Sequence, residues 1–338
     1  MSERMRVGLS LGSVTGDFRD MIDLAVQAEN AGFDMVTAGD SGSETFALMG
    51  AIAMRTERVQ LVSSIAGWTR TPATMAHAAA TVANLSRGRF SLGIGPTPKK
   101  WVTDWHGLEF DPVIPRMREY LRAVRAALTA TPDSPTDVDG EYFPSHGYTN
   151  WGIELAEPVP LVLGVSQRRM TELAGELCDG VMLNSIHPIE WIEKNATQYL
   201  AAGRDRGPLA GAGVDRGIGR FVGIHDDRAT AYDLCRAQLS FYFAIPYFRT
   251  LLEPFGFDAE LAGGEKALAE GDRAGMLAAV SDRMVDEIAL AGSPAEVLDK
   301  LGRYDGLVDW VSFGGGFNID PAAANANYRR LIEVFGRG

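Results

Sequence analysis

One rhythm runs through the whole chain and constrains it most: a short apolar run that reads as a strand, a stretch with apolar residues at helical spacing, then a Gly/Asp turn. A parallel βα sheet or barrel writes itself in sequence in this way. Arg6 to Leu11 reads as a strand, and Asp17 to Asn30 as a helix with Phe18, Met21, Ile22, Ala25 and Ala28 on one face, stopping at Gly32. Strands are then expected at Met35 to Ala38, Val59 to Ile65, Phe90 to Ile94, Val159 to Val165, Gly180 to Leu183, Gly219 to Ile224 and Asp309 to Phe313. Between them the spacing predicts helices over Glu44 to Arg55, Ala73 to Leu85, Pro115 to Leu128, Arg168 to Leu177, Ile189 to Arg204 and Pro294 to Arg303, with Ala322 to Phe335 closing the chain. Gly32-Phe33-Asp34, Cys178-Asp179-Gly180 and Gly306-Leu307-Val308-Asp309 each fall between a helix and the next strand, where such a turn stops the helix. Repeated βα units along 338 residues without a linker favour one α/β domain, a (β/α)8 TIM barrel spanning 1–338, over an open doubly wound sheet. The rhythm lapses near 131–158 and 239–290, which read as insertions.

Charge and composition narrow the function classes. Lys and Arg total 32 against 44 Asp and Glu, a formal net charge of −12, which argues against nucleic acid as the main partner. Cys178 and Cys235 lie far apart without metal or redox spacing and read as buried thiols in a reducing compartment. No apolar run approaches the roughly 18 residues of a membrane span, and Met1 leads into a strand-like run instead of a signal stretch, so a cytoplasmic protein is expected. His77, His106, His146, His187 and His225 are scattered and form no H-x-x-x-H or H-E-x-x-H, so no metal site is expected.

A barrel places its chemistry at the C-terminal ends of its strands. After Ala38 comes Gly39-Asp40-Ser41-Gly42-Ser43-Glu44, with one carboxylate at the strand end and a second four residues on; Asp40 or Ser43 equally suits the cap of the next helix. Ser63-Ser64-Ile65-Ala66-Gly67 supplies small residues that admit a flat ligand, followed by Trp68 and Arg70, the latter reading either as a site cation or as a solvated charge. Gly93-Ile94-Gly95-Pro96-Thr97 is a glycine-rich exit whose amides suit a phosphate or a polar ring edge, although it matches no P-loop. Gly164-Val165-Ser166-Gln167-Arg168 places Ser166 as a helix cap, and a helix start beside Arg168 suits a phosphate. Gly314-Gly315-Gly316 offers a second phosphate or ring position. The aromatic stretch Leu239 to Phe257 reads as a substrate wall, a dimer contact or helical core.

These residues carry a resemblance. Ala31-Gly-Phe-Asp34, Ser86-Arg-Gly-Arg-Phe90 followed by Gly93-Ile-Gly95, Arg116-Met-Arg-Glu-Tyr120, Gly140-Glu-Tyr-Phe143, Leu173-Ala-Gly175 with Cys178-Asp-Gly180, and Ala291-Gly-Ser-Pro-Ala-Glu296 resemble the luciferase-like flavin and deazaflavin oxidoreductases, especially the coenzyme F420 branch. The resemblance spans nearly the whole chain. It implies a TIM barrel in which Asp40 lies near the cofactor, Ser64-Ile65 forms a bulge with a non-prolyl cis peptide behind the ring, and Gly95 to Thr97 lies near the ring or ribityl chain. Gly164, Val165, Ser166, Gln167 and Arg168 then match the phosphate loop, with Ser166-Gln167-Arg168 where the family shows a small residue and Gly-Pro.

Two departures concern proton transfer: Ser41 stands where many deazaflavin enzymes have His, and Pro98 where some have Glu. Serine is a poor general acid, so beside Ser41 at that catalytic position Asp40, Glu44 and His106 are the candidate proton donors. The implied activity is hydride transfer between F420 and a small or medium organic substrate, with Trp68 and Trp101 shielding the ring and a homodimer as the assembly. The alternatives are an FMN-dependent monooxygenase and a non-catalytic barrel that carries a flavin or deazaflavin.

Overall fold

The computed structural model describes residues 4–12, 17–40, 42–150, 152–153, 155, 157–316 and 318–337. Its principal strands are β1 (Arg6–Ser10), β2 (Met35–Ala38), β3 (Gln60–Ser63), β4 (Phe90–Gly95), β5 (Leu161–Val165), β6 (Gly180–Leu183), β7 (Asp215–Ile224) and β8 (Trp310–Gly314). Helices α1 (Phe18–Asn30), α2 (Thr45–Ala53), α3 (Pro72–Leu85), α4 (Lys99–His106), α5 (Val113–Thr129) and α6 (Arg168–Leu177) alternate with the first five. The eight parallel strands close as a (β/α)8 barrel, as the alternation predicts.

Internal packing divides the chain into two compact units, one of residues 1–36, 183–197 and 216–338 and the other of 37–182 and 198–215. In the first, β8 lies between β1 and β7, with Val311 in register with Val7 and Ile218, and the short strand Leu290–Gly292 adds to β7. Three residues are too few to display a period, so the sequence pattern does not mark that strand. In the second unit β4 lies between β3 and β5, with Leu61 opposite Phe90 and Leu92 opposite Leu161.

Local chemistry explains most boundaries. Asp17 caps α1 by accepting from the Arg19 amide, and Met21, Leu24, Ala25 and Ala28 are buried while Phe18 is exposed. Thr71 caps α3 ahead of Pro72 at its first position, and Ser293 with Glu296 forms a capping box for helix Pro294–Gly302. One expectation fails: the cap position of α6 is Gln167, whose side chain makes no capping hydrogen bond, and Ser166 lies one residue too early to cap a helix that begins at Arg168.

The three Gly/Asp turns share one device. In each, the aspartate accepts the first amides of a strand and pairs with an arginine: Asp34 takes the Val7 amide at 2.8 Å and Arg4 at 2.9 Å, Asp179 takes the Leu161 amide at 2.8 Å and Arg125 at 3.0 Å, and Asp309 takes the Arg216 amide at 2.7 Å and its guanidinium at 3.2 Å. All three turns precede strands, so the device works at the N-terminal ends, where barrels build stability instead of chemistry.

In the first unit the aromatic stretch is largely core. Phe243, Leu251, Leu252, Phe257 and Leu261 are buried, while Tyr242 and Phe248 pack half-buried against them. Lys300 ties this region down, donating to Asp286 at 2.7 Å, to the Tyr232 hydroxyl at 3.2 Å and to the Ala291 carbonyl at 2.9 Å. Arg220 of β7, unmarked in the sequence, is fully buried and donates to the Tyr304 hydroxyl at 2.6 Å and the Ser185 and His187 carbonyls at 2.5 and 2.7 Å; burial pulls its pKa down. Both cysteines are buried, and burial pushes each thiol up to about 12.

Asp179→Ala should lower unfolding stability by about 1–3 kcal/mol, because the Leu161 amide loses its acceptor inside the sheet. A urea midpoint matching the native protein's would remove the aspartate device from the account. Burial favours the neutral forms of Asp286 and Lys300, yet their mutual bonds prevail, lowering the carboxyl and raising the ammonium. The depressed carboxyl contributes stability that is lost as pH falls through its folded value, and the raised ammonium contributes stability that is lost as pH rises through its own. The destabilisation by Lys300→Met should therefore be largest between roughly pH 5 and pH 10 and shrink on either side, as followed by thermal melts across pH.

Candidate active site

The second unit gathers most of the expected site around one side chain. β3 ends at Ser63, not Ile65; the Ser64–Ile65 peptide is cis, and Ala66–Gly67 resumes as a short strand beside Ile94 and Gly95. The Ser63 hydroxyl bridges to β4, donating to the Gly93 carbonyl at 2.9 Å and accepting from its amide at 2.8 Å. Backbone bonds from Ser64 to the Ala38 carbonyl (2.7 Å) and from Asp40 to the Ile65 carbonyl (3.1 Å) join the bulge to the end of β2.

Ile65 rests among glycines. A Cβ on Gly39 would lie 2.6 Å from the Ile65 nitrogen, one on Gly164 would lie 3.0 Å from Ile65 Cγ2, and one on Gly95 would run into Ile65 Cδ1. Three strand ends thus forgo side chains so that the half-buried Ile65 can form a floor. Thr97 rises beside it with φ of 49° and a buried hydroxyl that has no hydrogen-bond partner. A Cβ on Gly67 would lie 3.0 Å from Thr97 Cγ2 and 3.6 Å from Asp40 Oδ2, which measures how closely these three residues meet.

Asp40 is the polar centre. Its Oδ2 accepts from the Gly67 amide at 2.8 Å and Arg70 Nη1 at 2.6 Å, and its Oδ1 from the Thr45 amide at 3.3 Å and Arg70 Nη2 at 3.1 Å. Arg70 Nη2 also reaches Glu44, which caps α2 through the Ala47 amide at 2.7 Å. Asp40 and Arg70 side chains are 18% and 19% exposed, so this is a largely desolvated pair and not a solvated surface charge. Burial disfavours the Arg70 cation, but its bonds to Asp40 and Glu44 outweigh this and raise its pKa. Tyr120 of α5, its own pKa pushed up by burial, donates to the Arg70 carbonyl at 2.9 Å.

The structure therefore brings Asp40, Ser64, Ile65, Gly95, Thr97 and Gly164 together, and joins Glu44 to them through Arg70. His106 is instead the exposed last residue of α4, a helix not among those the spacing predicts, and it takes no part in the Asp40 bonds. Ser41 lies outside the described residues. Val165 is buried, Ser166 half-buried and Gln167 exposed. Arg168, 68% exposed, is bonded to Glu172 at 2.7 Å along its own helix. Trp68 is buried against Phe110 at 5.6 Å, and Trp101 stacks on Trp105 at 4.6 Å. Arg70 is the residue whose role the sequence leaves open, and Tyr120, although part of a family motif, gives no sign of its bond to Arg70 because that partner lies 50 positions away. Among the described residues no group of three His, Cys, Asp or Glu gathers as a metal site, and no helix is long and apolar enough to cross a membrane.

Comparison with known proteins agrees with this architecture. The model of the luciferase-like monooxygenase family matches residues 4–309. A 5,10-methylenetetrahydromethanopterin reductase of Archaeoglobus fulgidus is 26% identical over 283 residues, covering 81% of this chain and 82% of its own. The structure of a coenzyme F420 dependent tetrahydromethanopterin reductase from Methanopyrus kandleri superposes with a TM-score of 0.82 at 21% identity, covering 99% of this chain and 98% of that one. The oxygenating constituent of 3,6-diketocamphane monooxygenase from Pseudomonas putida, in complex with FMN, superposes with a TM-score of 0.67 at 18% identity over 98% and 97% of the two chains.

The glycines of the site differ in what they protect. Gly93→Ala drives a Cβ into the Ser63 carbonyl, a backbone atom that cannot turn aside, and should cost about 3 kcal/mol. Gly95→Ala meets only the end of the Ile65 side chain, which can rotate, and should cost clearly less. Urea unfolding of both variants checks the ranking, and equal losses would contradict it.

Proposed function

Because the chain belongs to the luciferase-like monooxygenase family, we propose that it is an oxidoreductase that binds coenzyme F420 and moves a hydride between the deazaflavin and a small or medium organic substrate. The observation that carries the reading is the Ile65 floor, cleared of side chains by Gly39, Gly95 and Gly164, with the buried and unpartnered Thr97 hydroxyl at its edge. A buried hydroxyl without a partner costs about 1–3 kcal/mol, and a polar ring edge would relieve it. The relatives support the choice of cofactor, since the reductase from Methanopyrus kandleri is coenzyme F420 dependent.

The residues present fit a planar, polar-edged ring. Ile65 would back it, Gly95 and Thr97 would meet its edge or ribityl chain, and the start of α6 at Ser166, Gln167 and Arg168 would meet the phosphate. When bound, the cofactor supplies hydride donation and acceptance. The chain's own work is to bind and orient it: Asp40 accepts four N–H bonds and so fixes Gly67 beside Thr97, and the bulk of Ile65 keeps water from the face that it covers. Engaged as an acceptor on both oxygens, Asp40 serves here as a fixed anion.

The FMN-bound protein of the same fold supports a second reading, an FMN-dependent monooxygenase. The resemblance further supports a homodimer, which light scattering of the purified chain checks. Titrating the apo-protein with F420 and with FMN, followed by absorption and fluorescence quenching, should give tight binding of F420 and weak binding of FMN. Thr97→Val should weaken the preferred cofactor about tenfold, the loss of one hydrogen bond in a desolvated site. Preference for FMN would favour the monooxygenase, and binding of neither would overturn the reading.

A further inference from the structure

Arg70 stands in the loop between β3 and α3 and is held from three sides. Its guanidinium lies over the Phe46 ring, 5.1 Å from the centroid, and its carbonyl is taken by Tyr120. Its fork grips both oxygens of Asp40 and reaches Glu44. A bidentate guanidinium–carboxylate pair fixes direction as well as charge. What makes the grip consequential is the next bond along: the Oδ2 that Arg70 holds also accepts the Gly67 amide, and Gly67 lies two residues from Ile65 and against Thr97. Asp40 therefore transmits the position of Arg70 to the floor and the edge of the proposed cofactor site.

We infer that Arg70 is a positioning residue for the ring-binding part of that site, acting through Asp40 and Gly67. The inference rests on the functional reading above, and it assigns to Arg70 a geometric effect on the ring. The rival role is purely electrostatic: Arg70 balances one of the two carboxylates, Asp40 and Glu44, which would otherwise repel a phosphorylated cofactor. The two roles separate by the part of the ligand that feels the change. A displaced Gly67 weakens binding of the ring whether or not a phosphate is attached, whereas an uncompensated charge weakens mainly the anionic forms and does so less at high salt.

The test titrates the native protein, Arg70→Gln and Arg70→Lys with F420, FMN, the phosphate-free ring of each (the 8-hydroxy-5-deazaflavin ribityl compound and riboflavin), at low and high salt. Arg70→Gln should weaken the preferred cofactor and its phosphate-free counterpart by the same factor, about tenfold or more, independent of salt, with an altered absorption band of the bound ring. Arg70→Lys, which keeps the cation but loses the fork, should recover only part of the loss. If Arg70→Gln does not fold, Arg70→Lys decides, since it must weaken both forms equally. A loss confined to the phosphorylated forms, or native affinity in Arg70→Lys, overturns the inference while leaving the functional reading intact. Failure of the native protein to bind any of the four overturns the reading and this inference with it.

Discussion

Four N–H groups converge on the Asp40 carboxylate, and the ordering of the loops after β2 and β3 depends on that convergence. One bond comes from the helix that follows β2, one from the backbone that leaves the bulge, and two from an arginine whose main chain is tied to α5. A carboxylate this far out of water is tolerated only when its lone pairs are filled, and here they are filled from two segments, the start of α2 and the connection between β3 and α3. The C-terminal strand ends of the second unit are in this way held by one anion, while the opposite end is held by Asp179 through a strand amide and Arg125.

The βα rhythm was legible because it is local. Periodicity, Pro at a first helical position and Gly/Asp turns act over a few residues, so β2, β6 and α6 fall at the boundaries that the pattern predicts. Family motifs carried the reading further, to the cis peptide at Ser64–Ile65 and the assembly of Asp40, Gly95, Thr97 and Gly164. What escaped was set by partners far along the chain. Arg70 could be read as a solvated charge until Asp40, 30 positions away, is seen to hold it, and Arg220 gave no sign of being buried until Tyr304, Ser185 and His187 surround it. Helix α4 is not among the helices that the spacing predicts, since it has only eight residues and no side-chain cap, and Gly107 ends it in the left-handed conformation.

Arg220 and Thr97 show opposite treatments of buried polarity. The Arg220 guanidinium is enclosed without a carboxylate, and Tyr304 and two carbonyls satisfy it, so its desolvation is offset by fixed dipoles that hold the loop after β6. Thr97 is left with a buried hydroxyl that nothing answers, in a backbone conformation uncommon for a β-branched residue. The Thr97 hydroxyl is one of several buried polar atoms left without a partner, with the Thr37 hydroxyl and Nε and Nη1 of Arg204 among the others. What sets Thr97 apart is its place at the rim of the Ile65 floor, against Gly67 and close to Asp40.

The same reasoning bears on proton transfer. A group that gives a proton must present an O–H or N–H toward the reacting atom, and both oxygens of Asp40 accept hydrogen bonds from Gly67, Thr45 and Arg70. Glu44 is bound to α2 and Arg70, and His106 sits at an exposed helix end outside the Asp40 bonds. Charge on this side of the site is therefore arranged to hold a shape, with the carboxylates anchoring the loops against which a ring would rest. The anchored set thus ties the loops after β2 and β3 to α2 and α5 at the strand ends where a barrel of this kind places its chemistry.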